Sequence, residues 1–309
     1  MNFTLDNHLK CYIGDRLYGD RKTPYEKFRV EVGPVNQDYY KKSNWLQEQY
    51  RIADLIHLDL GKDFIVMFSG GTDSEIILRA FKHIGIDVKP VFIRFTGGHN
   101  LGELVAAKEV TDDLGLSLTI IDFDVVDFYR SGGAASLAKS LQCANLAYLT
   151  VYQNIINMGS PAIVGASVTF ERVRESAATG RKWYYDFSEQ LNLPSVKVYD
   201  LFGIPIIQEW FSYTPESIGY FLENPVIEAV ITETNFKTYT DSSKNPVLSS
   251  WMPSIIPKIK KNGYENLKGL RHEAFFSLKK ELVSVLEYSV QGMYVSELRN
   301  QLFGRIHDN

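Results

Sequence analysis

A chain of 309 residues with 45% hydrophobic content can bury one large core or two modest ones and gives no compositional ground for disorder. With 33 basic against 37 acidic residues and a formal charge of −4, it carries no global positive field to gather nucleic acid or an acidic membrane surface. Met1 to Gly14 lacks the apolar core of a secretory signal, no apolar run approaches the roughly 20 residues of a membrane span, and Cys11 and Cys143 cannot build a four-thiolate zinc site. A cytoplasmic protein with two structural thiols is expected.

Residues 1–60 mix charge with Tyr12, Tyr18, Tyr25, Tyr39, Tyr40, Trp45 and Tyr50 and show no sustained strand period, which predicts an irregular N-terminal arm ending in a helix near 43–59. At Phe64-Ile65-Val66-Met67-Phe68 the character changes to a continuous apolar run, as in a parallel strand buried on both faces. Ser69-Gly70-Gly71-Thr72-Asp73-Ser74 follows, then a helix with Ile77, Leu78, Phe81 and Ile84 on one face and Gly85 as its stop. A second strand is predicted at Val91 to Phe95. After a Gly97-Gly98 turn comes a helix from Leu101 to Leu114, striped by Leu104, Ala107, Val110 and Leu114, and Leu118 to Phe123 reads as a third strand.

A single long helix is expected where Leu137, Leu141, Ala144, Tyr148, Val151, Ile155 and Met158 recur at steps of four and three. Gly159-Ser160-Pro161 breaks it, and Ala162-Ile163-Val164-Gly165 supplies a fourth strand. The last strand is Ile204-Pro205-Ile206-Ile207, whose proline suits an edge or a strand start. Thr214-Pro215-Glu216 opens a helix, and the remainder is expected to be mostly helical, with Phe275, Leu278, Leu282, Val285 and Leu286 in one stripe. The alternation predicts an α/β fold, a Rossmann-like parallel sheet with helices on both faces. Its parts are an arm (1–60), an α/β domain (61–210) and a helical C-terminal region (211–309) that shapes a second-substrate site.

The loop at Ser69–Ser74 carries the chemistry. A phosphate needs close backbone approach and several N–H donors, and Gly70 and Gly71 between a buried strand and a helix start supply both, with the helix dipole favourably aimed. Ser69 and Ser74 add hydroxyls and Thr72 sits between; Asp73 is acidic and would hold Mg²⁺ or cap the helix rather than touch phosphate. A plain helix start with a tight turn would use the same residue types, but the Walker, dinucleotide and nucleophile-elbow patterns are all absent.

This hexapeptide resembles the S-G-G-x-D-S loop of the N-type ATP pyrophosphatases, the PP-loop or adenine nucleotide α-hydrolase superfamily of HUP-type fold, over roughly 62–175. Val91 to Phe95 followed by Glu103, Ala106 and Leu114-Gly115 is similar to the family's second strand and helix, and Gly165 resembles the glycine that approaches the nucleotide. The resemblance implies that the loop binds the β,γ-pyrophosphate of ATP with Mg²⁺ while a substrate oxygen attacks the α-phosphate. The adenylated product is then displaced by a nitrogen or sulfur nucleophile. It also implies adenine beside Ile93, Arg94 and Phe95, with backbone groups there reading the base edge; Arg94 would equally serve as a salt-bridged surface residue. Glu171, Arg172 and Arg174 are candidates for metal, pyrophosphate or second substrate, with Asp73 and Glu171 as the metal pair, or else exposed structural charge.

Pyrophosphate release calls for cations. The densest group is Lys258, Lys260, Lys261, Lys268 and Arg271, which would fold back as a lid with Lys258 and Lys260 at the reaction, or else form a solvated basic face. Trp183 and Trp251 would stack a substrate or fill core. Cysteine scarcity disfavours the zinc-dependent deazaguanine, thiolation and reductase branches, and 60 residues before the loop are too few for a glutaminase domain. The expectation is therefore an asparagine synthetase- or NAD synthetase-like ligase that uses free ammonia or an amine on a small substrate, with a separate glutaminase as one source of the ammonia and a homodimer as one assembly. The alternatives are a regulatory ATP- or AMP-binding module and a tRNA- or nucleobase-modifying enzyme.

Overall fold

A computed structural model describes residues 9–18, 26, 28–143, 145–165, 170–176, 180–187, 189–227, 248, 251–252, 255, 267–282 and 292–304. The stretch expected to be an irregular arm contains an antiparallel sheet of β1 (Leu9–Ile13), β2 (Arg16–Leu17) and β3 (Phe28–Val32), ordered β2-β1-β3. Leu9, Cys11 and Ile13 alternate inward, but polar and aromatic partners on the outer face hide the period, and pairing with β3 depends on residues well beyond the turn. A one-turn helix α1 (Gln37–Tyr40) precedes α2 (Trp45–Leu60), close to its expected span. α2 is opened by a capping box in which Asn44 and Gln47 bond each other's backbone, and Gly61 closes it at φ +77°.

The central sheet joins β4 (Ile65–Met67), β5 (Lys89–Phe95), β6 (Thr119–Phe123), β7 (Ala162–Val164) and β10 (Ile206–Ile207) in the order β10-β7-β4-β5-β6, with every neighbouring pair parallel. Its pleat feeds two cores. Phe64, Val66, Phe68, Phe92 and Ile163 point to the face covered by α2, α3 (Thr72–His83) and α4 (Leu101–Leu114). Ile65, Met67, Val91, Phe95 and Val164 point to the face covered by α5 (Val125–Arg130), α6 (Gly133–Leu141) and α7 (Leu146–Met158). The expected Rossmann-like α/β architecture is thus present, and Pro205 precedes an edge strand as anticipated.

The expected long helix is instead α6 and α7. Gln142 turns left-handed at φ +50°, and Asn145 caps the new start by accepting from Ala147 N and Tyr148 N at 3.2 and 3.3 Å. The apolar stripe runs on because both helices line the same core. A further addition is the hairpin β8 (Phe170–Ser176) and β9 (Gly180–Asp186), to which β11 (Gly292–Tyr294) adds a strand.

Helix α8 (Glu189–Phe202) leads into β10, and after a 3-10 turn α9 (Pro215–Leu222) starts at Thr214, whose hydroxyl accepts from Ser217 N at 3.2 Å. Helix α10 (Lys268–Leu282) packs on α5 and α6; Val285 and Leu286 of the expected stripe lie outside the described residues. Helix α11 (Val295–Phe303) ties the chain's two ends together, through Val35 N to Leu302 O and Val32 N to the Gln301 side chain, both at 2.9 Å. Among the described residues no helix is long and apolar enough to cross a membrane.

Candidate functional site at the sheet switch point

The strand order reverses at β4, which has β5 on one side and β7 on the other, so the crevice outside the carboxyl ends of β4 and β7 is where open α/β sheets receive ligands. Ser69–Ser74 leaves β4 there. Ser69 is exposed, whereas Gly70 is buried at φ +72°. A Cβ on Gly70 would lie 2.6 Å from Ala107 N and 2.9 Å from Glu103 O, so helix α4 presses directly on the loop and both space and φ demand glycine.

Gly71 differs. It is the N-cap of α3 at φ −88° and ψ 161°, a conformation open to any residue, and it provides no side-chain cap. Helices α2, α5, α7 and α9 start at Asn44, Asp124, Asn145 and Thr214, each accepting from a first-turn N–H. At α3 those donors lack that acceptor, and the positive end of the helix dipole is left facing the crevice.

Across the crevice Gly165 ends β7. A Cβ there would stand 3.3 Å from Ser74 Cβ and 3.4 Å from Ser74 N, so the two turns meet. Thr72 and Asp73 are half-buried in the first turn of α3. Ser74 is 4% exposed and donates its hydroxyl to Gly71 O at 3.1 Å, which directs it at the loop backbone rather than outward. Behind the loop, Glu75 is buried and pairs with Arg79, which also reaches Asp113 of α4 at 2.9 Å, locking the two helices beside the turn.

At the end of β5 the backbone of Ile93 and Phe95 is held by protein hydrogen bonds. Asn100, buried at the start of α4, accepts from Phe95 N and donates to Ile93 O, both at 2.8 Å, and Phe95 O accepts from Gly98 N at 3.2 Å. Each of these backbone groups thus has a partner within the protein. Asn100 reads in sequence as a helix cap, and only the fold shows that it braces the strand end. Arg94 takes its salt-bridged alternative: it grips Asp122 on β6 in a fork at 2.5 and 2.7 Å, the pair half exposed. That bond holds the Asp122 carboxyl below its usual range.

The remaining candidates are dispersed. Glu171, Arg172 and Arg174 fall on β8, in register with Tyr184, Trp183 and Arg181 of β9, and their side chains are outside the described set, as is that of Trp183. Lys258, Lys260 and Lys261 also lie outside the described residues. Lys268 and Arg271 sit on α10, which Leu267 and Leu278 anchor in the core. Trp251 stacks on Trp45 at 4.4 Å and so packs against the core. Both thiols are buried and unbridged, and burial pushes that of Cys143 up to about 12, which makes it a poor nucleophile. Among the described residues no group of three or more metal-ligating side chains occurs.

No protein-family model matches the chain, and no curated protein is significantly similar to it.

Proposed function

We propose that the protein is an ATP-dependent, AMP- and pyrophosphate-forming ligase of the ATP pyrophosphatase type, with Ser69–Ser74 as its pyrophosphate loop. The observation that carries this reading is the start of α3: a glycine pair between a buried strand and an uncapped helix N-terminus, placed at the switch point with Gly165 closing the far wall. The absent side chain at Gly71 leaves room for backbone to approach an anion, that at Gly165 lets β7 close on Ser74, and first-turn N–H groups with the helix dipole compensate the charge.

In this reading ATP lies with its β- and γ-phosphates against the loop, and the α-phosphate is exposed to an oxygen of the second substrate. The new P–O bond forms as the bond to the β-phosphate breaks, and charge develops on the leaving pyrophosphate where the N–H donors point. Asp73, the carboxylate of the loop, is suited to hold Mg²⁺ jointly with the phosphates, since that ion takes few protein ligands; Mg²⁺ supplies charge neutralisation when bound. The activated substrate is then attacked by ammonia or an amine.

Incubation with α-labelled ATP, Mg²⁺, ammonium and pooled metabolites is expected to yield AMP and pyrophosphate. ADP as product, or tight binding without turnover, sinks the reading; the latter outcome describes a regulatory ATP-binding module instead. Asp73→Asn is expected to lower turnover by about 10–100-fold while costing no more than about 1 kcal/mol of stability, the usual contribution of a first-turn carboxylate.

A further inference from the structure

A cavity of about 30 Å³ lies at the carboxyl end of β10, walled by Cys11, Tyr18, Ser195, Gln208, Glu209 and Tyr213 among others. The N-terminal sheet, for which the catalytic reading has no role, supplies Cys11 of this wall. Gln208 is 3% exposed. Its Oε1 accepts from the fully buried Tyr152, which lies outside the wall, while its Nε2 has no partner among the described residues. A buried amide donor is stabilised only when something accepts from it, and Gln208 carries this one at the wall of the cavity.

The rest of the wall sets the chemistry of the occupant. Tyr18 donates its hydroxyl to Leu9 O and Tyr213 donates to Asp59, so the proton of each phenol is already engaged within the protein. Glu209 adds a carboxylate, and among the described residues no lysine, arginine or histidine lines the space, which disfavours an anion. The volume suits two or three non-hydrogen atoms at about 10–15 Å³ each. Strands β10, β7 and β4 are adjacent and parallel, so the carboxyl end of β10 lies about 10 Å from that of β4, where Ser69–Ser74 begins, at the usual strand spacing.

We propose that this cavity is the subsite for a compact neutral polar group, a hydroxyl or carboxamide, at the far end of the second substrate. Its catalytic role rests on the ATP reading above; its capacity to bind such a group does not. The test uses formamide and formate, which match in size and differ in charge, titrated into the ¹⁵N-labelled full chain without ATP. The Gln208 side-chain amide signals are assigned by their loss in Gln208→Leu.

Formamide is expected to shift the Gln208 amide saturably and about tenfold more tightly than formate. Glu209→Gln, which keeps the amide, is expected to tighten formate at least about fivefold. An unsaturable or absent formamide shift, equal binding of formate, or no response of formate to Glu209→Gln overturns the proposal. ATP is titrated into the same samples: failure there with formamide bound refutes the pyrophosphate loop and leaves the subsite, and the reverse pattern refutes the subsite alone.

Discussion

The seam between α2 and α9 and the loop between β4 and α3 are both polar regions set against buried apolar core, yet they handle their polar groups in opposite ways. In the seam every charge is closed. Glu48, fully buried, accepts from Arg51 at 2.9 and 3.0 Å and from Thr214 at 2.5 Å, while Arg51 also reaches Glu216 at 2.7 Å. Glu216 in turn accepts from Asn36 N at 2.6 Å, and Gln49 joins Trp210 and Ser217. In the loop the helix begins on a glycine with no side-chain acceptor. A network that satisfies itself builds structure and offers a ligand nothing, whereas a helix start without a side-chain cap at a sheet switch point aims its dipole and first-turn donors at the crevice.

The largest effect that tests this contrast is expected from Glu48→Ala. It leaves Arg51 and Thr214 facing a void at a fully buried position and should cost about 3 kcal/mol in denaturant unfolding, the low end for a broken buried pair because Arg51 is 34% exposed. ATP affinity is expected to stay within about twofold. A stability loss well under 1 kcal/mol, or a collapse of ATP affinity in folded protein, removes the division of labour between seam and loop.

Next are the two loop glycines, which separate fold from binding. Gly70→Ala meets both a left-handed φ and the backbone of α4, so a loss of about 2–3 kcal/mol is expected together with loss of nucleotide binding. Gly71→Ala keeps an ordinary φ and should cost under about 1 kcal/mol, while its methyl group intrudes on the anion site and weakens ATP by about tenfold or more. If Gly71→Ala binds ATP as the wild type does, the first turn of α3 is not the phosphate site.

The central sheet was legible because buried parallel strands are continuous apolar runs, and Phe64–Phe68 is as plain a case as a sequence offers. Strands β1 to β3 were not, because Lys10, Tyr12, Arg29 and Glu31 face outward on a two-sided sheet whose pairing spans residues distant in the chain. The split of α6 from α7 was hidden for a different reason: two helices on one core show one stripe, and the left-handed Gln142 carries no glycine signal. In the site the loop itself was readable from residue type, whereas the engagement of Ile93 and Phe95 by Asn100 depends on a side-chain direction that residue type does not encode.

A smaller effect follows from alkaline titration of the seam. Tyr40 donates to Glu223 at 2.6 Å and its phenol is held well above the ordinary value by burial first and that bond second, while burial pushes Tyr39 up to about 12. The folded state therefore prefers the protonated phenols. Their contribution is complete below the unfolded value of 10.0 and is lost as pH rises, through about 12 for Tyr39. Absorbance at 295 nm is expected to show late phenol ionisation coinciding with loss of the circular dichroism signal; early titration of all tyrosines in folded protein contradicts the closed seam.

The smallest effect is expected at Arg94, and it decides on which side of the contrast the end of β5 belongs. Both partners of the Arg94–Asp122 fork are about half exposed, so solvent and salt screen the pair, and Arg94→Ala should leave the thermal midpoint unchanged within measurement error. The lowered Asp122 pKa gives the pH window: the contribution of the pair is present above the unfolded carboxylate range and disappears only as pH falls through the depressed folded value. If the fork is surface structure, ATP affinity in Arg94→Ala and in Asp122→Asn stays within about twofold of wild type. A loss of tenfold or more in Arg94→Ala, with Asp122→Asn unaffected, means that nucleotide draws the guanidinium away from Asp122 and that β5 joins the loop as binding surface.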